Sequence, residues 1–521
     1  MNALPENIRQ QPRDSSAQEL KVLLTTEGTY PYHSGGVSTW CQTLIESLPN
    51  VNFSIISIES TPWVESRYEL PGNVDSVFIA PQWHGRTFEA TRMSNWRYTR
   101  RWLHTSGTSV RKNLKPLLET FFLQLFQGCP EPEIFMDVML KMNQYWRRHD
   151  YRRSFRSPAV WQVYVDAINK TNWPAEFSEK DLSSGLSMIQ NLFSALSVEP
   201  PRSDVTHSSA AAFCSIPAIL SKMESGTPML LSEHGVYLRE RLLDLSRVHS
   251  SLSIQHLYYR MIKTMVRISY HAADRILPVC DFNSKWEVNF GAAPEKITTV
   301  YNGVDPRRFS PIIGGGSGAR RRPTVVSLAR IDPLKDIETL LKTAALVRQE
   351  LPDVRFKLYG DVWDKEYFHC CLALHGRLEL DGCFEFSGHT QSPPTAYQEG
   401  DVIVLSSISE AFPYAVVEAM MCGRPVVATS VGGVGEALSD CGLTVEPRNP
   451  VSLAESCLQL LNNRKLRRAM GKRALYRARS QFTINDMADA YESIYQETAG
   501  AEAGCLPGQF TPGPQVADLA V

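Results

Sequence analysis

The stretch Ser406-Ser-Ile-Ser-Glu410-Ala-Phe-Pro-Tyr-Ala-Val-Val-Glu418-Ala-Met-Met-Cys-Gly-Arg-Pro-Val-Val-Ala-Thr429 holds the strongest chemical signal in the sequence. Its two glutamates, separated by seven residues, are acceptors suited to two hydroxyl-rich groups. The spacing alone says little, because Glu19 and Glu27 repeat it without comparable surroundings. The surroundings carry the reading. An apolar run at Val402 to Leu405 predicts a strand, Pro413 suits the first helical position, and the amides of Tyr414 and Ala415 then point at an anion on the helix's positive end. A diphosphate fits there, with Glu410 before the helix accepting from sugar hydroxyls and Glu418, more than a turn in, gripping a ribose diol.

Arg330 and Lys335 follow an apolar run at Thr324 to Ala329, at the carboxyl end of an expected strand, where open α/β sheets bind ligands. Two cations there can face one diphosphate and offset the charge that grows on a leaving nucleoside diphosphate, work that a metal performs elsewhere. No Asp-x-Asp triplet occurs, and no metal site is expected. Gly35 and Gly36 lack a Cβ and so let backbone amides approach a phosphate or acceptor closely. His234, just past a predicted strand at Pro228 to Ser232, is a candidate for hydrogen bonding to the transferred sugar; His207 is a weaker candidate of the same kind.

These residues need elements to hold them. Apolar runs alternate with helical patterns twice along the chain, which predicts parallel, doubly wound sheets. Strands are expected at Val22 to Leu24, Phe53 to Ile58, Pro228 to Ser232, Arg275 to Val279 and Ile297 to Tyr301, then at Thr324 to Ala329, Arg355 to Tyr359, Cys383 to Phe386, Val402 to Leu405 and Pro425 to Thr429. The expected layout is a disordered start (1–19), a first Rossmann-like, acceptor-side domain (20–310) with a helical insert at about 62–200, and a Gly- and Arg-rich linker (311–322). A second, nucleotide-sugar domain (323–480), a closing helix (481–497) packing back on the first domain and a disordered tail (498–521) complete it.

Composition sets outer limits. With 521 residues, two domains are the prior. A net charge of −1, from 54 basic and 55 acidic residues, gives no global field for nucleic acid. The stretch Arg97 to Arg101, with Arg111 and Lys112, is a local basic patch that reads as a solvated face or a partner or headgroup surface. The first 19 residues lack an apolar core, and the 11 scattered cysteines fit reduced thiols, so a cytoplasmic location is expected.

The segments Glu27-Gly-Thr-Tyr-Pro-Tyr-His-Ser-Gly-Gly-Val-Ser-Thr-Trp40, Glu233-His-Gly-Val-Tyr-Leu-Arg-Glu-Arg241 and Glu410 to Glu418 together resemble the PelF family of glycosyltransferases, which act in Pel exopolysaccharide synthesis and belong to glycosyltransferase family 4. The resemblance spans nearly the whole chain. It implies a GT-B fold, two Rossmann-like domains facing a cleft, with retention of anomeric configuration and no metal or other cofactor. It also implies a UDP-sugar donor, a polysaccharide or oligosaccharide acceptor, and a soluble enzyme working beside an inner-membrane synthase complex. Carried over by position, it makes Arg330 and Lys335 the diphosphate cations, Glu418 the ribose ligand and Glu410 the donor-sugar contact, with Gly35, Gly36 and His234 as the facing wall. Ser34 stands where starch- and glycogen-synthase-type enzymes carry a lysine, which weighs against a synthase of that kind. A regulatory subunit that binds nucleotide sugar without turnover is the rival from another class; a GT-B epimerase or phosphorylase has no supporting feature.

Overall fold

The computed structural model describes residues 19–83, 95–245, 250–311 and 322–500. Residues 1–18 and 501–521 of the segments expected to be disordered, and nearly all of the expected linker, lie outside the described residues.

Two six-stranded sheets organise the chain, and every pairing within them is parallel. The first takes β1 (Leu20–Glu27), β2 (Val51–Glu59), β3 (Val74–Pro81), β4 (Val205–Ser208), β5 (Met229–Glu233) and β6 (Arg275–Pro278) in the spatial order β3-β2-β1-β4-β5-β6. The second takes β7 (Thr324–Leu328), β8 (Arg355–Tyr359), β9 (Phe384–Gly388), β10 (Val402–Leu405), β11 (Val426–Thr429) and β12 (Leu443–Val445) in the order β12-β11-β10-β7-β8-β9. Strands such as Val402–Leu405 and Val426–Thr429 are buried throughout, as continuous apolar runs in a sheet covered on both faces must be.

Strand order reverses between β1 and β4 in one sheet and between β7 and β10 in the other. At such a switch point the connections leave in opposite directions and open a crevice beyond the carboxyl ends. The loops after β1, β7 and β10 therefore carry Gly35 and Gly36, Arg330 and Lys335, and Glu410.

Three expectations need correction. Ile297 to Tyr301 is no strand: a single bridge from Ile297 to Ile276 is followed by lone amide bonds from Thr298 and Val300 to the β6 backbone, too few to extend the ladder. The span 62–200 is not wholly helical insert, because it contains β3, an edge strand whose half-exposed pattern left no apolar run to read; the described helices of the insert run from Asn95 to Ser197. Those helices enclose an aromatic core with Phe121, Phe122, Trp146 and Tyr164 buried, packed against the helix Leu252–Ala272. The closing helix does not stop at 497 but continues to Gly500, with Thr498 buried.

The chain crosses back at that closing helix. Met487, Tyr491 and Tyr495 join the core cluster of the first sheet, against Trp40 and Leu44 of α1 (Gly36–Ser47) and Phe53 of β2. His207 on β4, fully buried, bonds Tyr495 Oη at 2.7 Å through Nδ1 and Ser232 Oγ at 2.8 Å through Nε2. Burial holds its pKa down to about 3, so a neutral imidazole ties the last helix to the sheet and has no nitrogen left for a ligand. Among the described residues, no helix is long and apolar enough to cross a membrane.

Candidate functional site

Lys335 ends a single 3-10 turn, Pro333–Lys335, between two aspartates that shape it. Asp332 accepts from Leu334 N at 2.8 Å and sets the start; Asp336, at φ 45°, opens the helix Ile337–Glu350 and bonds Thr339. The turn is laced to the loop after β10, since Ile408 N donates to Leu334 O and Ser406 Oγ to Lys335 O, both at 2.8 Å. This brings Lys335 Nζ to 2.5 Å from Glu410 Oε1, an ion pair with side chains 17% and 12% exposed. Ser407 Oγ donates to the same carboxylate oxygen at 2.6 Å.

Arg330 is half exposed, 3.4 Å from Asp332 Oδ2, with its guanidinium 4.2 Å from the centre of the Trp363 ring. Two glycines allow these loops to close. A Cβ on Gly432, at φ 55°, would stand 1.7 Å from Glu410 O, and one on Gly360 would stand 1.9 Å from Ala329 O. Only glycine fits either position.

Pro413 is not the first helical residue but the cap before it: the helix is α2 (Tyr414–Met421), and Val416 N and Val417 N both bond Pro413 O. The amides of Tyr414 and Ala415 precede that first bond and lie at the positive end of the helix. Glu418 is partly buried and accepts from Tyr397 Oη at 2.7 Å. Burial raises its pKa, and the Tyr397 bond and nearby Arg308 oppose that shift.

The first domain meets this wall directly. A Cβ on Gly36, the first residue of α1, would lie 4.0 Å from the Tyr414 ring, so two helix N-termini converge. Gly35 caps that helix with extended backbone and open space at its Cβ position. Arg239 Nη1 donates to Ser409 Oγ at 3.0 Å, which draws the His234 to Arg241 segment against the Glu410 loop. His234 packs on Trp40 at 4.3 Å between ring centres, both its nitrogens are buried, and among the described residues neither has a partner. Burial depresses its pKa to about 3, so it offers a neutral imidazole.

Sequence reading missed several neighbours. The buried Glu240, with Arg241 and Arg239 as nearby cations, has its carboxylate in the space a Cβ on Gly235 would need. Glu27, at the end of β1, accepts from Cys214 N and Tyr237 Oη. Behind them Glu233 accepts from Tyr270 Oη at 2.5 Å, while Glu287 is fully buried with neither oxygen hydrogen-bonded. Burial pushes both carboxyls up, helped by nearby Glu240 at Glu233 and by Glu233 at Glu287, which rises to about 9. Gly432 and Gly433 after β11 carried a signal of the same kind as Gly35 and Gly36; Arg239 and Glu240 carried none. Among the described residues, no group of three or more His, Cys, Asp or Glu is arranged to hold a metal ion.

Residues 20–295 match the family described as "Domain of unknown function (DUF3492)", over more than half of the chain. The chain belongs to the DUF3492 family. Behind its DUF3492 region, residues 317–477 match "Glycosyl transferases group 1", so the second sheet lies in a group 1 glycosyltransferase domain. The chain is 31% identical over 237 residues to a D-inositol 3-phosphate glycosyltransferase of Geodermatophilus obscurus, covering 42% of this chain and 52% of that protein. It is 26% identical over 208 residues to an N-acetyl-alpha-D-glucosaminyl L-malate synthase of Bacillus anthracis, covering 39% and 54%. It thus spans about half the length of the curated relatives it matches. In fold it is similar to HepE of Anabaena, crystallised with UDP and glucose (TM-score 0.57, 14% identity, 92% of this chain and 100% of that one). It is also similar to sucrose-phosphate synthase of Thermosynechococcus elongatus (TM-score 0.59, 15% identity, 93% and 100%). These likenesses establish the GT-B fold that the sequence predicted.

Proposed function

We propose that this DUF3492 protein is a retaining, metal-independent, PelF-like glycosyltransferase that moves a hexose-type sugar from a UDP-sugar to a growing exopolysaccharide. The observation that carries the reading is the Lys335–Glu410 pair at the switch point, with Arg330 on the same loop as Lys335 and the Tyr414 ring at the start of α2 against Gly36. In this reading Arg330, Lys335 and the Tyr414 and Ala415 amides hold the diphosphate, Glu418 the ribose, and Glu410 and His234 the sugar hydroxyls. The donor class is supported by HepE, which binds UDP and glucose within the same fold.

The leaving diphosphate takes the proton of the attacking hydroxyl on the face it departs from, while the two cations and the helix end stabilise its growing charge. No protein nucleophile is required. Glu410, engaged by Lys335 and Ser407, positions rather than attacks. The test is a thermal-shift panel of UDP-, ADP- and GDP-sugars, followed by transfer to oligosaccharides with and without EDTA and product anomer analysis by NMR. UDP-sugars alone should raise the unfolding temperature by mass action, and transfer should survive chelation. Wild-type turnover in Arg330→Ala would sink the mechanism.

A further inference from the structure

One helix of the insert presents to solvent the kind of stripe that other helices bury. In the helix Asn95–His104, residues Trp96, Thr99, Arg100, Leu103 and His104 recur at i, i+3, i+4, i+7 and i+8 and therefore share a face. Such a stripe normally turns toward a core. Here Trp96 is 69% and Leu103 65% exposed, and the five side chains line one open groove. Cations are interleaved with the apolar groups: the Arg100 guanidinium lies 5.6 Å from the Trp96 ring centre, and that of Arg153 lies 3.7 Å from the ring centre of exposed Trp102. From Asn95 to Leu118 the sequence contains six Arg and Lys residues and no Asp or Glu, in a chain whose net charge is −1. The segment is locally cationic although the molecule is not.

We propose that this helix docks the protein on the surface of a bilayer carrying anionic phospholipid. Trp96 and Leu103 seat at the boundary between headgroups and acyl chains, and Arg100 with its basic neighbours pairs with headgroup phosphates. Charge alone would suit any polyanion; the aliphatic Leu103 beside an indole on the same stripe selects a surface with an apolar layer beneath its charges. The location is serviceable, because the insert leaves the first sheet from the carboxyl end of edge strand β3, the rim on which Gly35 and His234 also lie. The proposal does not depend on which donor or acceptor the cleft takes.

The test is co-sedimentation of the full chain with vesicles of phosphatidylcholine alone and of phosphatidylcholine mixed with phosphatidylglycerol. Arg100→Glu and Leu103→Ser are compared with wild type, and unfolding temperature serves as the folding control. Wild type should sediment with the mixed vesicles only, release at high salt, and lose about tenfold in partition coefficient with either variant, from one reversed charge or one lost apolar contact. Brominated lipid should quench tryptophan fluorescence in wild type and less in Trp96→Phe. Equal binding to neutral vesicles, no binding to mixed ones, or two folded variants that bind like wild type would overturn it. So would tighter binding to single-stranded DNA than to mixed vesicles.

Discussion

Lys335 and Glu410 neutralise each other at 2.5 Å, so a donor diphosphate entering the site gives Lys335 a second anion to share rather than filling an empty charge. Lys335→Ala should cost about 10²- to 10³-fold in kcat/KM, the range for removing one stabiliser of developing charge, and steady-state kinetics will read it. His234, held neutral by burial, should contribute no imidazole limb to the pH profile of kcat/KM, and His234→Ala should lower that constant with little change in the profile's shape. Glu287 provides a pH test of stability. It is protonated in the fold up to about pH 9, whereas in the unfolded chain it ionises near 4.5. Its stabilising effect is complete at low pH and is lost as pH rises through that window. Glu287→Gln should therefore be more stable than wild type above neutrality, with the gain growing toward pH 9 in thermal melts. Residue identities at the site were legible where a motif carries its own strand and helix, as with Glu410 and Lys335. Arg239 and Glu240 were not legible, because their meaning comes from a loop on the other domain.

At the scale of elements, long buried strands announced themselves and short or edge strands did not. Val402–Leu405 reads as an apolar block; β3 and β12 are half-exposed, and β4 is a four-residue strand with three polar residues, His207 among them. Ile297 to Tyr301 looked like a strand for the same reason that the true ones did, but backbone pairing decides the matter and only one bridge forms. The connection after β11 is where an element and the site are least separable. Gly432→Ala adds a methyl group 1.7 Å from the Glu410 carbonyl at φ 55°, so either the turn or the Glu410 loop must move. A loss of about 1–3 kcal/mol in chemical denaturation is expected, with a fall in kcat/KM from the same displacement.

For the whole molecule, a polar clasp joins the two domains outside the cleft. Glu436 accepts from Asp281 N at 2.7 Å and Phe282 N at 2.6 Å, so a carboxylate of the second domain caps the helix Asp281–Asn289 of the first, while Arg477 braces the Glu436 and Ala437 carbonyls. Glu436→Ala should loosen this clasp, seen as a larger radius of gyration in solution scattering and a raised donor KM with the second domain's own stability little changed. The last described helix has a different consequence. Tyr491 and Tyr495 complete the packing around Trp40 and His207, yet they are translated only after the entire second domain. On the ribosome the first sheet must therefore wait, its hydrophobic face open, while the glycosyltransferase domain emerges and folds ahead of it, so the usual order of N-terminal domain first is reversed at this one face. Shielding of that face during synthesis then becomes a condition for recovering active protein.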